Sequence, residues 1–364
     1  MRISSNPKRE ETSMKDARHS LEKVVVILEQ GEAGSTTAEL IDPTDVPDRG
    51  LGRFVIAARS GLYTLLVLAV VLGAGAYGLR KYGIFGCPAS QYGSDGYLGY
   101  CGATSYGDYD HGAIWFALEP AVNAAAASAQ VLFVGNSRVE FGFSSDATAD
   151  WFSSNSDSYY LLGFSHFENY TFLAPLLRKL RPRAKVYVIN IDSFFEQSET
   201  GPGKTVIRDE SARNRYEQKR QWQRIHKAIC TTFQAICGQD EAIFRSRSAG
   251  TWVVTGGRFT SEPVSYDEDV DHSILASYTT LGSEFLPSLS ASRACTMLTI
   301  VPTVKTRVGT AKAIASALGL NLVAPTPAGL TTFDGVHLDR ESAQHWSAAF
   351  LEEAGPQIRK CLSE

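Results

Sequence analysis

The stretch VLFVGNSRVEFGF, residues 131–143, begins with four uninterrupted apolar residues and then changes character at Gly135, Asn136 and Ser137. An unbroken apolar run reads as a strand covered on both faces, because a strand wet on one face alternates apolar with polar residues. The residues after Ser137 suit the start of a helix. A small hydroxyl residue therefore stands at the carboxyl end of a buried strand, which is where open α/β sheets hold their ligands.

The same alternation extends outward. The apolar runs YYLLGF (159–164), KVYVINID (185–192), ACTMLTIVP (294–302) and the short LNLVA (320–324) read as further strands. Helical patterns lie between them: a lead-in over GAIWFALEPAVNAAAASAQ, one near DATADWF, one through ENYTFLAPLLRKL, a long polar helix over about 208–245, one near 308–318, and a last one from about Asp339. Strands alternating with helices predict an α/β domain with a mainly parallel sheet covered on both faces. Ser137, Gly163 and Asp192 then share one edge of that sheet.

Upstream, SGLYTLLVLAVVLGAGAYGL, residues 60–79, is free of charge and bounded by Arg59, Arg80 and Lys81. At about 1.5 Å per residue such a helix spans the roughly 30 Å hydrocarbon core of a bilayer. Arg49, Arg53 and Arg59 before it against Arg80 and Lys81 after it favour a cytoplasmic N-terminus. Four regions follow: a mostly disordered tail over 1–55, a transmembrane helix over 56–82, a Tyr/Gly-rich, disulfide-containing segment with its lead-in helix over 83–129, and the α/β domain over 130–364. In the third region, Tyr92, Tyr97, Tyr100, Tyr106 and Tyr109 are expected as half-buried filler of an irregular loop rather than a sugar-stacking surface.

All six cysteines follow the apolar helix, which suits disulfides in an oxidising compartment. Neighbour-wise pairing gives Cys87 with Cys101, Cys230 with Cys237, and Cys295 with Cys361. No Cys/His spacing fits zinc, and neither a metal nor another cofactor is expected. With 35 basic and 39 acidic side chains the net charge is −4 and no basic stripe stands out, so nucleic acid is not an expected partner.

Nucleophilic serine chemistry requires a hydroxyl, an imidazole to take its proton, a carboxylate to orient the imidazole, and donors for the oxyanion. TTFDGVHLDRESAQHWSAAF, residues 331–350, supplies Asp334 and His337 three positions apart, with Gly335 allowing the chain to bend between them. GNS at the end of the first strand together with DGVH before the last helix resembles the SGNH/GDSL hydrolase superfamily, whose members carry a nucleophilic serine in the first block and a DxxH pair in the last. The resemblance covers roughly residues 130–355.

It implies a flavodoxin-like three-layer sandwich and an esterase, deacetylase or O-acyltransferase, with Ser137 as nucleophile, His337 as general base and Asp334 as its partner. It also implies an oxyanion hole. Gly163 stands near the second-block glycine, with His166 as the rival for that position, and Asp192 falls where the third block has asparagine. An ionised Asp192 would repel an oxyanion, which leaves a protonated Asp192, Asn190 or a backbone N–H as the donor. Membrane-anchored relatives point to a polysaccharide or acyl-ester substrate, to partner proteins of a polysaccharide assembly system, and to a bacterial inner-membrane location with the domain in the periplasm. The alternative is an inactive binding or scaffold subunit of such a system.

Other motifs carry less. GPGKT at 201–205 lacks the earlier glycine and the leading strand of a phosphate-binding loop, and GNSRV lacks the second glycine of a nucleophile elbow. His111, His166, His226, His272 and His345 read as structural, Asn169 opens an NYT sequon, and the mixed charges of RDESARNRYEQKRQWQRIHKAIC mark a solvated face.

Overall fold

A computed structural model describes residues 50–81, 85–88, 92–102, 106–256 and 260–364. The tail expected over 1–55 falls almost wholly outside them. Helix α1, Gly50–Lys81, contains a window over Gly61–Gly78 that is long and apolar enough to cross a membrane, and none of that window is buried by protein.

The strands of interest are β1 (Gly96–Cys101), β2 (Gly107–Asp108), β3 (Val131–Asn136), β4 (Tyr159–Phe164), β5 (Val186–Asn190), β6 (Ala242–Ser246), β7 (Trp252–Thr255), β8 (Thr296–Thr299) and β9 (Asn321–Leu322). Helices α2 (Asp110–Trp115), α3 (Pro120–Ser128), α4 (Ser137–Phe143), α5 (Asp146–Asn155), α6 (Tyr170–Leu180), α7 (Gly201–Arg208), α8 (Ala212–Thr232), α9 (His272–Phe285), α10 (Val308–Leu318) and α11 (Arg340–Ser363) connect or follow them.

Five strands form a parallel sheet in the order β9-β8-β5-β3-β4. Successive residues of each strand enter opposite faces, as the two-residue period requires. Leu132, Val134, Tyr160, Leu162, Tyr187 and Ile189 join one core with side chains of α3, α6, α9 and α10. Val131, Phe133, Leu161, Val186 and Val188 join a second core with Phe143, Phe152, Trp346 and Phe350 of α4, α5 and α11. Both faces are therefore covered by helices, which is why these strands read as continuous apolar runs.

The chain runs from β3 outward to β4 and then crosses back to β5 on the other side of β3. That reversal makes the carboxyl ends of β3 and β5 the switch point of the sheet, the place where sheets of this kind accept ligands.

Two features differ from expectation. A second, antiparallel sheet of order β2-β1-β6-β7 is present, so the Tyr/Gly-rich segment is not simply irregular: Gly96–Cys101 pairs with Ala242–Ser246. Tyr97, Tyr106 and Tyr109 are accordingly core residues. The long polar helix stops at Thr232 instead of continuing to about 245. The Cys230–Cys237 bridge gives the reason. Its Cα atoms are 5.8 Å apart, whereas seven residues of continued α-helix would separate them by about 10.5 Å.

Three disulfides join the expected pairs, Cys87–Cys101, Cys230–Cys237 and Cys295–Cys361. Such bonds form and persist in oxidising compartments, which suits an extracytoplasmic domain.

Candidate active site

At the carboxyl end of β3 the chain turns directly into α4. Asn136 is the N-cap: its side chain accepts from the Arg138 N–H at 3.0 Å, which leaves the Ser137 hydroxyl free of capping duty. Gly135 and Gly163 permit this tight entry. A Cβ at Gly135 would meet Val139 at 2.7 Å, and one at Gly163 would meet the Asn136 carbonyl at 2.6 Å.

The partners arrive from two hundred residues away, on the segment before α11. A short antiparallel bridge of Thr331–Thr332 with Glu262–Pro263 fixes the start of this segment. Gly335 then takes φ +82°, a left-handed conformation that glycine adopts without steric cost, and donates its N–H to Thr332 Oγ1. The bend lets Asp334 Oδ1 accept the N–H groups of Val336 and His337 at 3.0 and 2.8 Å, while Oδ2 lies 2.7 Å from His337 Nδ1. Burial pushes the Asp334 carboxyl up, but the His337 imidazole and the two backbone donors outweigh it and hold the group below the usual carboxylate range.

His337 Nε2 lies 2.7 Å from Ser137 Oγ. With Nδ1–H donated to the Asp334 carboxylate, Nε2 is the basic nitrogen and faces the serine O–H. The ring is steadied by aromatic contacts, its centroid 4.4 Å from that of Phe141 on α4 and 5.6 Å from that of Phe333, to which it is nearly parallel. Ser137 is 6 % exposed, so the line of three groups is shielded but reachable.

The expected oxyanion residues fare differently. The Gly163 N–H donates to the buried Glu140 carboxylate at 2.7 Å and its carbonyl accepts from Arg245, so Gly163 serves the packing of α4 rather than an open hole. Asn190 is also turned inward: its oxygen accepts from the Val301 N–H at 3.1 Å and its nitrogen lies 3.5 Å from Asn136 Oδ1. Asp192 borders the site, but it is paired with Arg138, the residue next to Ser137. Burial pulls the Arg138 guanidinium down to about 10, which leaves it charged at neutral pH. Its Nε is buried without an acceptor among the described residues. The guanidinium also lies 5.9 Å from the ring centroid of Phe167.

His166 and Phe167 both have left-handed backbones, φ +61° and +54°. Non-glycine residues there store strain, a recurrent property of functional turns. Neither N–H has a protein acceptor among the described residues.

Sequence alone did not mark Arg138, Phe141 or Phe167 as site residues, whereas His166 stood there as the rival to Gly163 for the oxyanion position. Of the three unmarked residues only Arg138 carried a signal, as the cation following the serine in a chain whose third block offers Asp192 in the asparagine's place.

Two other histidines hold structure. His226 bonds Tyr92 and the Cys87 carbonyl, and His111 lies between Asp108 and Glu168. The side chains of His226, Cys230 and Cys237 converge, yet the two sulfurs are joined as a disulfide and offer no thiolate to a metal. Asn169 of the sequon is buried, caps α6 and donates to the Ser198 carbonyl, so its amide is closed to glycosylation.

Comparison of the chain with protein-family models, curated proteins and solved structures found no match.

Proposed function

We propose that this chain is a membrane-anchored, extracytoplasmic serine acyl-transfer enzyme of SGNH type, an esterase or O-acyltransferase acting on a polysaccharide of the bacterial envelope. In this reading α1 is the anchor in the inner membrane, the N-terminal tail is cytoplasmic, and the parallel sheet is a flavodoxin-like three-layer domain in the periplasm. One observation carries it: Ser137 Oγ, His337 and Asp334 stand in succession with 2.7 Å at each contact, at the sheet edge where the strand order reverses. The resemblance to the superfamily rests on the same residues.

The chemistry follows. Ser137 Oγ attacks an ester carbonyl carbon while its proton passes to His337 Nε2, and Asp334 stabilises the imidazolium that forms. Collapse of the tetrahedral species breaks the carbon–oxygen bond, and His337 returns the proton to the departing alcohol. The acyl group on Ser137 then passes to water or to a sugar hydroxyl by the same steps in reverse. For the oxyanion we favour Arg138 and the free N–H groups of the His166–Phe167 turn, since Gly163 and Asn190 are engaged elsewhere.

Full-length protein in detergent should cleave a small acetyl ester and react with a fluorophosphonate probe at Ser137. Ser137→Ala should abolish both. Polysaccharide binding without ester turnover or labelling would favour the inactive binding subunit instead.

A further inference from the structure

We propose that the carboxyl-terminal half of α8 and the turn after it dock on the surface of the membrane that α1 crosses, with anionic lipid headgroups as partner. This rests on the reading of α1 as a membrane anchor.

The tether comes first. Phe85 follows Lys81, the last residue of α1, by four positions, so an extended chain allows at most roughly 14 Å between them. The Phe85 carbonyl accepts from the Gly238 N–H at 2.6 Å, and the Gly86 carbonyl accepts from Asp240 at 3.0 Å. Phe85 also packs on the Cys230–Cys237 disulfide. The last turn of α8 is thereby tied to the point where the chain leaves the bilayer, by a leash too short to let it drift away.

The chemistry of that end fits what the leash brings it to. Ile225 is 56 % exposed and Phe233, at the end of the helix, is 62 % exposed. Between Gln218 and Gln239 the sequence holds Lys219, Arg220, Arg224 and Lys227 and no acidic residue. Of the acids nearer the helix start, Asp209 pairs with Arg215 and Glu217 with Arg213, while Glu210 lies before the helix, away from this end. Large apolar side chains that insert among headgroups, flanked by exposed Arg224 and Lys227, form the pattern of a segment lying on an anionic interface. Among the described residues, the other exposed large apolar side chains after the anchor, Phe167, Ile207 and Val253, belong to other elements.

The test uses the full chain in liposomes of phosphatidylethanolamine and phosphatidylglycerol, with the photo-crosslinker p-benzoylphenylalanine in place of Phe233, of Ile225, or of Val253 as control. Phospholipid adducts are expected at 225 and 233 and not at 253. Arg224→Gln combined with Lys227→Gln should remove the adduct at 233, and so should liposomes of phosphatidylcholine alone. Cross-links to protein only, or none, in a chain that resists alkaline carbonate extraction would overturn the docking while leaving the anchor. Adducts indifferent to both charge changes would overturn the anionic partner. Release by carbonate would overturn the anchor and the docking together.

Discussion

Beside Ser137 a cation and an anion from different strand ends face each other, and in the proposed reaction their balance would decide whether an oxyanion forms there. Asp192 alone would place a negative charge next to the developing one. Its pairing with Arg138 cancels that charge and brings a buried, unshared N–H donor to the same spot. Removing the cation while keeping the carboxylate is therefore the harmful change. Arg138→Ala should lower kcat for an acetyl ester by about 10²–10³-fold with little change in KM, the scale of losing one oxyanion donor. Asp192→Asn should leave kcat within a few-fold, and the double variant should recover part of the Arg138→Ala loss through relief of repulsion. Steady-state kinetics across this cycle measures the coupling; strict additivity would mean that the two residues do not act on each other.

The helix that carries Ser137 is held by elements invisible in the local sequence. Glu140, one turn after Ser137, accepts from the Gly163 N–H of β4 and from Arg245 of β6, and Arg245 reaches on to Asp110, the Gly163 carbonyl and the Leu161 carbonyl. Burial pushes the Glu140 carboxyl well up and the Arg245 charge opposes it. Gly163→Ala would drive a methyl group to within 2.6 Å of the Asn136 carbonyl and 2.8 Å of Glu140 Cγ. It should destabilise the domain by about 1–3 kcal/mol, as overpacking does, and slow probe labelling at Ser137 because α4 must shift. Denaturant unfolding and labelling rates report the two effects separately. The strands of the parallel sheet and the bounds of α10 were legible because an unbroken apolar run and a helical period are local signals. The pairing of β1 with β6 was not, since its partners are about 140 residues apart and neither segment shows in its own period what it pairs with. The same holds within the site. Ser137, Asp334 and His337 sit in short blocks whose residue types could be picked out locally as candidates, whereas the Gly163 N–H looks free in sequence and is claimed only when α4 and β4 pack.

Across the whole molecule the two sheets meet through buried ion pairs, and these give the fold a pH dependence of calculable sign. His111 of α2 is fully buried, with Nδ1 2.9 Å from Asp108 of β2 and Nε2 2.9 Å from Glu168, which precedes α6. His166, Tyr216, Lys219 and Thr200 complete the surroundings, Tyr216 on Asp108, Lys219 on the Asp108 carbonyl and Thr200 on Glu168. Burial pulls the imidazole down, but the two carboxylates outweigh it and raise the group from 6.5 to about 10. A group raised in the folded state contributes fully below its unfolded value and loses that contribution as pH climbs through the folded one. For Asp108 the sign is opposite. Burial raises this carboxyl, His111 more than compensates and holds it below the usual value, and its contribution is present above about 3.8 and lost in acid. The junction is therefore strongest between those unfolded values and weakens steadily from pH 6.5 toward about 10. Urea midpoints in detergent should fall over that alkaline range. His111→Gln leaves two buried carboxylates facing a neutral amide, so it should cost about 3–5 kcal/mol near neutral pH and remove most of the slope. An unchanged slope in the variant would assign the alkaline weakening to another group, since an amide in place of the imidazole has no proton to lose.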